Sequence, residues 1–198
     1  MAQTEITVQV FEDIENVKTK LQNLGYVWQD TFSGTDTYFS TIPQNQIANA
    51  NYKQLLDTSI IIRDFHKQKN NFHSVSLVHK RKNLSPEGNV IGEQKTTLGI
   101  TNPETADQLL SNAGLVRWLV LKQQNSFFSL GEKTIIVGTV EGLDGCFVEI
   151  EQFDSIANLT EQQKFDSLRD FVKTFGFCMG NDYSCKKTFM LYQKNMER

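Results

Sequence analysis

The sequence is poor in the residues that would place it in several common classes. It has only 3 Pro and 3 Cys in 198 residues, and no apolar stretch approaches the ~18 residues a membrane-crossing helix needs. Cys146, Cys178 and Cys185 cannot all pair and form no Cys-x-x-Cys, which argues against a disulfide framework and a zinc ribbon. The opening Met-Ala-Gln-Thr-Glu lacks the charged and apolar regions of a signal peptide, so a reducing cytoplasm is the expected compartment. Positive charge is not in excess: 20 Lys+Arg face 23 Asp+Glu, a formal charge of −3. Neither nucleic acid nor membrane is therefore an expected partner. His66, His73 and His79 are scattered and read as surface or loop residues rather than metal ligands. No Pro-, Gly- or Ser-rich linker divides the chain, so a single domain over residues 1–198 is expected.

What is present is periodic. Ile14, Val17, Leu21 and Leu24 fall on one helical face, with Gly25 following. Asn102-Pro103-Glu104 supplies an N-cap, a proline suited to the first turn and an acid, ahead of Leu109, Leu110, Ala113 and Gly114. Thr160-x-x-Gln163 matches a capping box before Phe165, Leu168, Phe171, Val172 and Phe175. Strands are expected at Glu5–Val10, Asp36–Thr41, Ser59–Phe65, Ser74–Lys80, Gln94–Ile100, Val116–Gln124, Ser126–Leu130, Lys133–Val140 and Cys146–Phe153. Thr41–Lys53 and Lys82–Gly92 read as loops, the second around Ser85-Pro86-Glu87-Gly88-Asn89. Leu24–Trp28 and Gly114–Trp118 echo one another after a helix, suggesting a duplicated β-rich unit.

Charge falls on strand faces. Glu149 and Glu151 share a face with Phe147, while Val148 and Ile150 take the other. Lys122 and Gln124 share a face, Arg63 interrupts a run of isoleucines, and Lys80 ends an apolar strand. An antiparallel sheet with one solvated face accounts for this, and so does a barrel with a polar lumen. Composition does not choose between them.

Three stretches carry a resemblance. Glu5–Pro43 ends in Asp-Thr-Tyr-Phe-Ser-Thr-x-Pro and resembles the opening of CYTH-superfamily proteins. Leu121–Phe128, Val140–Glu151 and Leu168–Phe177 are similar, in order and spacing, to the class IV adenylyl cyclase branch of that superfamily. The resemblance implies an α+β fold: an antiparallel β-barrel, helices packed outside, enclosing a tunnel for a triphosphate and a divalent metal. It implies Glu5 and Lys122 as catalytic residues, and Arg63, Lys80 and Lys122 as phosphate ligands. It also implies Glu149, Glu151 and Glu5 as ligands of Mg²⁺ or Mn²⁺.

The partner would be a nucleotide or other triphosphate, cyclised with loss of pyrophosphate or hydrolysed; a homodimer is compatible. Several charged family positions are neutral here: Thr7 and Gln9 on the first strand, Thr96, Gln124, and Gly138 where an aspartate is expected. Loss of those charges leaves a second expectation: a non-catalytic protein binding a small polar or phosphorylated ligand in the same barrel.

Overall fold

The computed structural model describes residues 4–51, 54–55, 58–84 and 90–196. Eight strands form one antiparallel sheet in the order β1-β8-β7-β6-β2-β3-β4-β5. They are β1 (Glu5–Val10), β2 (Val27–Ser40), β3 (Ser59–Lys67), β4 (Phe72–Leu84), β5 (Val90–Ile100), β6 (Val116–Leu130), β7 (Lys133–Val140) and β8 (Cys146–Glu151). The helices bounded within the described residues are α1 (Ile14–Asn23), α2 (Gln44–Ile47), α3 (Pro103–Asn112), α4 (Glu161–Lys173) and α5 (Lys187–Met196), with a 3₁₀ turn at Asp154–Ile156.

The caps behave as their residue types dictate. Asp13 and Asn102 accept hydrogen bonds from the backbone N–H groups of Glu15 and Thr105. Thr160 and Gln163 form the reciprocal capping box that starts α4. Gly25 and Gly114 stand just beyond α1 and α3 with φ of +89° and +87°, a conformation a Cβ would strain.

Strand alternation divides the core by face. On β1, Ile6, Val8 and Val10 are fully buried on the convex side. They pack there with Val148 and Ile150 of β8 and with Val17 and Leu21 of α1 and Phe165, Leu168 and Val172 of α4. A second outer cluster seats Ala106 and Leu110 of α3 on Phe39, Ile62 and Val75. The third cluster lies on the concave side: Tyr38, Ile61, Leu121 and Phe147 pack against Leu191 of α5. Helices thus cover the outside, and α5 covers one end of the lumen.

The sheet curls until Cα atoms of β1 and β5 come within 8 Å, yet among the described residues no ladder pairs these two edge strands. The outer edge of β1 is instead covered by residues 178–185. Thr7 N–H donates to Tyr183 O at 3.1 Å, Cys185 N–H to Thr7 O at 2.9 Å, and Gly180 N–H to Gln9 O at 2.9 Å. An edge that would otherwise show unpaired backbone groups is satisfied by the segment that leads into α5.

Several boundaries differ from the sequence expectation. The strand expected at Asp36–Thr41 begins at Val27, and Val116–Gln124 with Ser126–Leu130 is one continuous strand. The expected loop Thr41–Lys53 contains α2, while the turn cluster Ser85–Asn89 lies outside the described residues. Nothing in the sequence reading anticipated α5.

Candidate functional site

Side chains from all eight strands and from residues 185–188 line one cavity of about 470 Å³ on the concave face. Its charges come in sets fixed by strand register. Asp36 and Arg63 are direct partners across β2 and β3. Arg63 donates from Nε to Asp36 Oδ1 at 2.7 Å and from Nη2 to Oδ2 at 2.6 Å, a two-pronged ion pair whose carboxylate is 3% exposed and guanidinium 23%. Burial alone pulls the Arg63 guanidinium down, but the Asp36 hydrogen bonds and charge outweigh it and the group stands above its ordinary value. Lys80 and Lys95 are partners across β4 and β5, and both reach the cavity. Glu5 faces Glu151 across β1 and β8, with Glu149 two residues along β8.

The first turn of α5 places Lys187 inside. Its Nζ contacts Glu149 Oε1 and donates to Gln123 Oε1 at 3.0 Å. Lys187 and Glu149 have side chains only 15% and 19% exposed. Next to it, Thr188 Oγ1 donates to the Tyr38 hydroxyl at 3.3 Å. Burial, and secondarily the Asp36 charge, pushes the Tyr38 hydroxyl up to about 12. The unfolded phenol titrates near ~10. Between those values the unfolded chain loses the proton first, so stability falls as pH rises from about 10 to about 12, by about 3 kcal/mol in all. Urea midpoints from about pH 9 to about pH 11.5 should show this loss in the native chain and a shallower one in Tyr38→Phe.

The structure brings five of the six sequence-derived site residues to this cavity: Glu5, Arg63, Lys80, Glu149 and Glu151. It does not bring Lys122. On β6 the lumen-facing residues are Leu121, Gln123 and Asn125; Lys122 lies on the outside, with Nζ 3.4 Å from Glu141 Oε2 in an exposed pair. Its neighbour Gln124 shares that outward parity. Likewise Lys95, not Thr96, points inward from β5. Asp36, Lys95, Lys187, Gln123 and Asn125 are lumen residues that sequence reasoning passed over.

Gly138, standing where an aspartate was expected, has a steric reason. It pairs with Asn125, and a Cβ at this position would lie 1.7 Å from Asn125 Oδ1 and 2.8 Å from Gln124 O. The Asn125 carboxamide fills the space that a side chain at 138 would need. Gly138→Ala should therefore lower stability by about 1–3 kcal/mol in thermal denaturation. Asn125→Ala in the same chain should relieve part of that loss.

The resemblance implies Mg²⁺ or Mn²⁺ here, and Glu5, Glu149 and Glu151 are hard oxygen donors of the right type. In this structure their ligand atoms are not drawn together as a set of three. Among the described residues, only Asp64, His66 and His73 form a group of three with ligand atoms within 4.8 Å of one another, and they lie elsewhere. Glu149 already holds an ammonium group, that of Lys187.

The same fold spans nearly the whole chain in three solved structures. The PH1819 protein from Pyrococcus horikoshii OT3 matches with a TM-score of 0.69 at 16% identity, covering 98% of this chain and 99% of that one. A candidate adenylate cyclase from Vibrio parahaemolyticus matches with a TM-score of 0.62 at 15% identity, covering 98% and 99%. HpAC1 from Hippeastrum, a candidate adenylyl cyclase described as having a dominant triphosphatase activity, matches with a TM-score of 0.58 at 14% identity, covering 98% and 96%. No family model and no curated protein matches the chain. The chain thus shares with these structures an α+β fold, an antiparallel sheet curled into a barrel-like tunnel with helices outside.

Proposed function

We propose that the lumen binds the phosphate chain of a nucleoside or other organic triphosphate, and that the protein acts on it. One observation carries this reading: Lys80, Lys95 and Arg63 converge from three adjacent strands on a solvent-connected cavity of about 470 Å³. Ammonium and guanidinium groups fixed around a small cavity neutralise phosphate oxygens without reorganising during reaction. In cyclisation the ribose 3′-hydroxyl oxygen bonds to the α-phosphorus and pyrophosphate leaves. In hydrolysis water attacks phosphorus and orthophosphate leaves. Glu5 and Glu151, register partners that line the cavity, would accept the proton released. Lys122 has no part, being outside.

A second reading, binding without turnover, is favoured by the Lys187–Glu149 contact. It engages a carboxylate that the enzymatic reading derived from the family wants for metal. Calorimetric titration with tripolyphosphate, ATP and ADP, each with and without Mn²⁺, separates the readings when the products are analysed. Micromolar binding of triphosphates followed by pyrophosphate or orthophosphate release supports action on the phosphate chain. Binding with no product supports the second reading. No heat with any phosphate compound eliminates both.

A further inference from the structure

On the convex face, away from the lumen, the β3–β4 hairpin assembles three groups that the sequence keeps apart. His66 and His73 are direct partners in the antiparallel register, and Asp64 stands two residues before His66 on the same face. The sequence reading took these histidines as unrelated surface residues; the hairpin stacks their rings at 4.0 Å with planes 8° apart. Both Nε2 atoms point at one oxygen: Asp64 Oδ1 is 2.7 Å from His73 Nε2 and 3.1 Å from His66 Nε2.

The geometry points to a divalent transition-metal site at Asp64, His66 and His73, selective for Zn²⁺ over the hard cations. Two imidazoles and one carboxylate are the ligand types that zinc takes, leaving a fourth position for water. A tetrahedral ion with bonds of ~2.0 Å separates its ligand atoms by roughly 3.3 Å, close to the two separations observed.

Parallel rings cannot both aim lone pairs at one ion, so each must tilt out of the stack. The freedom for this exists: the histidine side chains are 54% and 50% exposed and no packed core holds them. Binding also needs both Nε2 atoms unprotonated, with the ring proton on Nδ1. The site is separate from the lumen. Arg63 and Phe65, which alternate with Asp64 and His66 on β3, face the cavity instead.

The test uses the full chain and zinc chloride in competition with a chromophoric chelator. One equivalent of Zn²⁺ bound in the low-micromolar range is expected. His66→Gln with His73→Gln should weaken it at least thirtyfold, and Asp64→Asn about tenfold, with far-UV circular dichroism unchanged. Glu149→Gln with Glu151→Gln should leave zinc affinity as it was, which separates this site from the lumen carboxylates. Absence of saturable zinc binding overturns the proposal. So does zinc binding that survives the double histidine substitution, since the ligands would then lie elsewhere, the cysteines included.

Discussion

Asp36→Ala should lower stability by about 3 kcal/mol, the largest effect expected of any single lumen substitution. The loss comes less from the missing attraction than from what remains. Arg63 keeps its charge with a side chain 23% exposed, and the remaining carboxylate that acts on it, Glu149, does so through space and is itself held by Lys187. Removing one partner of a buried pair leaves the other desolvated and uncompensated. At roughly 2–4 °C per kcal/mol for a chain of this length, the melting temperature should drop by about 6–12 °C. Replacing both partners, with Asp36→Leu and Arg63→Met, should recover most of the loss, because it removes the buried charge altogether. Urea denaturation of the three variants checks this. A loss under about 1 kcal/mol for Asp36→Ala would mean that water reaches the guanidinium and the pair is not buried in effect.

Lys80→Met should weaken tripolyphosphate binding by roughly ten- to a hundredfold, since a charge-assisted hydrogen bond contributes ~1.5–3 kcal/mol. Lys95→Met should act in the same direction and nearer the lower bound, because Lys95 is exposed at the sheet edge. Neither substitution should move the thermal midpoint as Asp36→Ala does. The informative control is Lys122→Met, a lysine directly between the lumen positions Leu121 and Gln123 in sequence but outside the sheet's concave face in space. Its affinity should stay within about twofold of the native chain. A Lys122 effect as large as that of Lys80, measured by calorimetry, would contradict the lumen as the phosphate site.

The Lys122 case shows where sequence reasoning stops. Strand β6 carries apolar residues of both parities, Leu119 and Leu121 alongside Trp118 and Val120, so alternation alone does not say which face is inner. Pairing of Leu121 with Asp36 decides it, and that register depends on irregularities at Trp28/Asp30 and Tyr38/Phe39. On β1 and β8, by contrast, the faces were legible, because Ile6, Val8, Val10, Val148 and Ile150 are cleanly separated from Glu5, Thr7, Glu149 and Glu151. The capping box at Thr160 and the proline-led start of α3 were legible too, being local.

Helix α5 has no comparable start signal. Lys187 opens it after a lysine and a cysteine, and packing of Leu191 into the lumen cluster contributes what the local sequence does not. Asp36 carried a signal that could have been used: an acid at the head of the run Thr37–Ser40 invites a partner, and Arg63 is the lone base in the isoleucine run. Pairing His66 with His73 required the hairpin register, which no spacing rule supplies.

The apolar layer beneath the charged cavity has a consequence for traffic. Tyr38, Ile61 and Leu121 pack on Leu191 of α5, and the aliphatic members of that layer cannot solvate a charge. An anion drawn in by the lysines therefore gains nothing by moving on toward Leu191. Its charged end should halt at the cations, leaving the less polar end of a guest to meet the aliphatic layer.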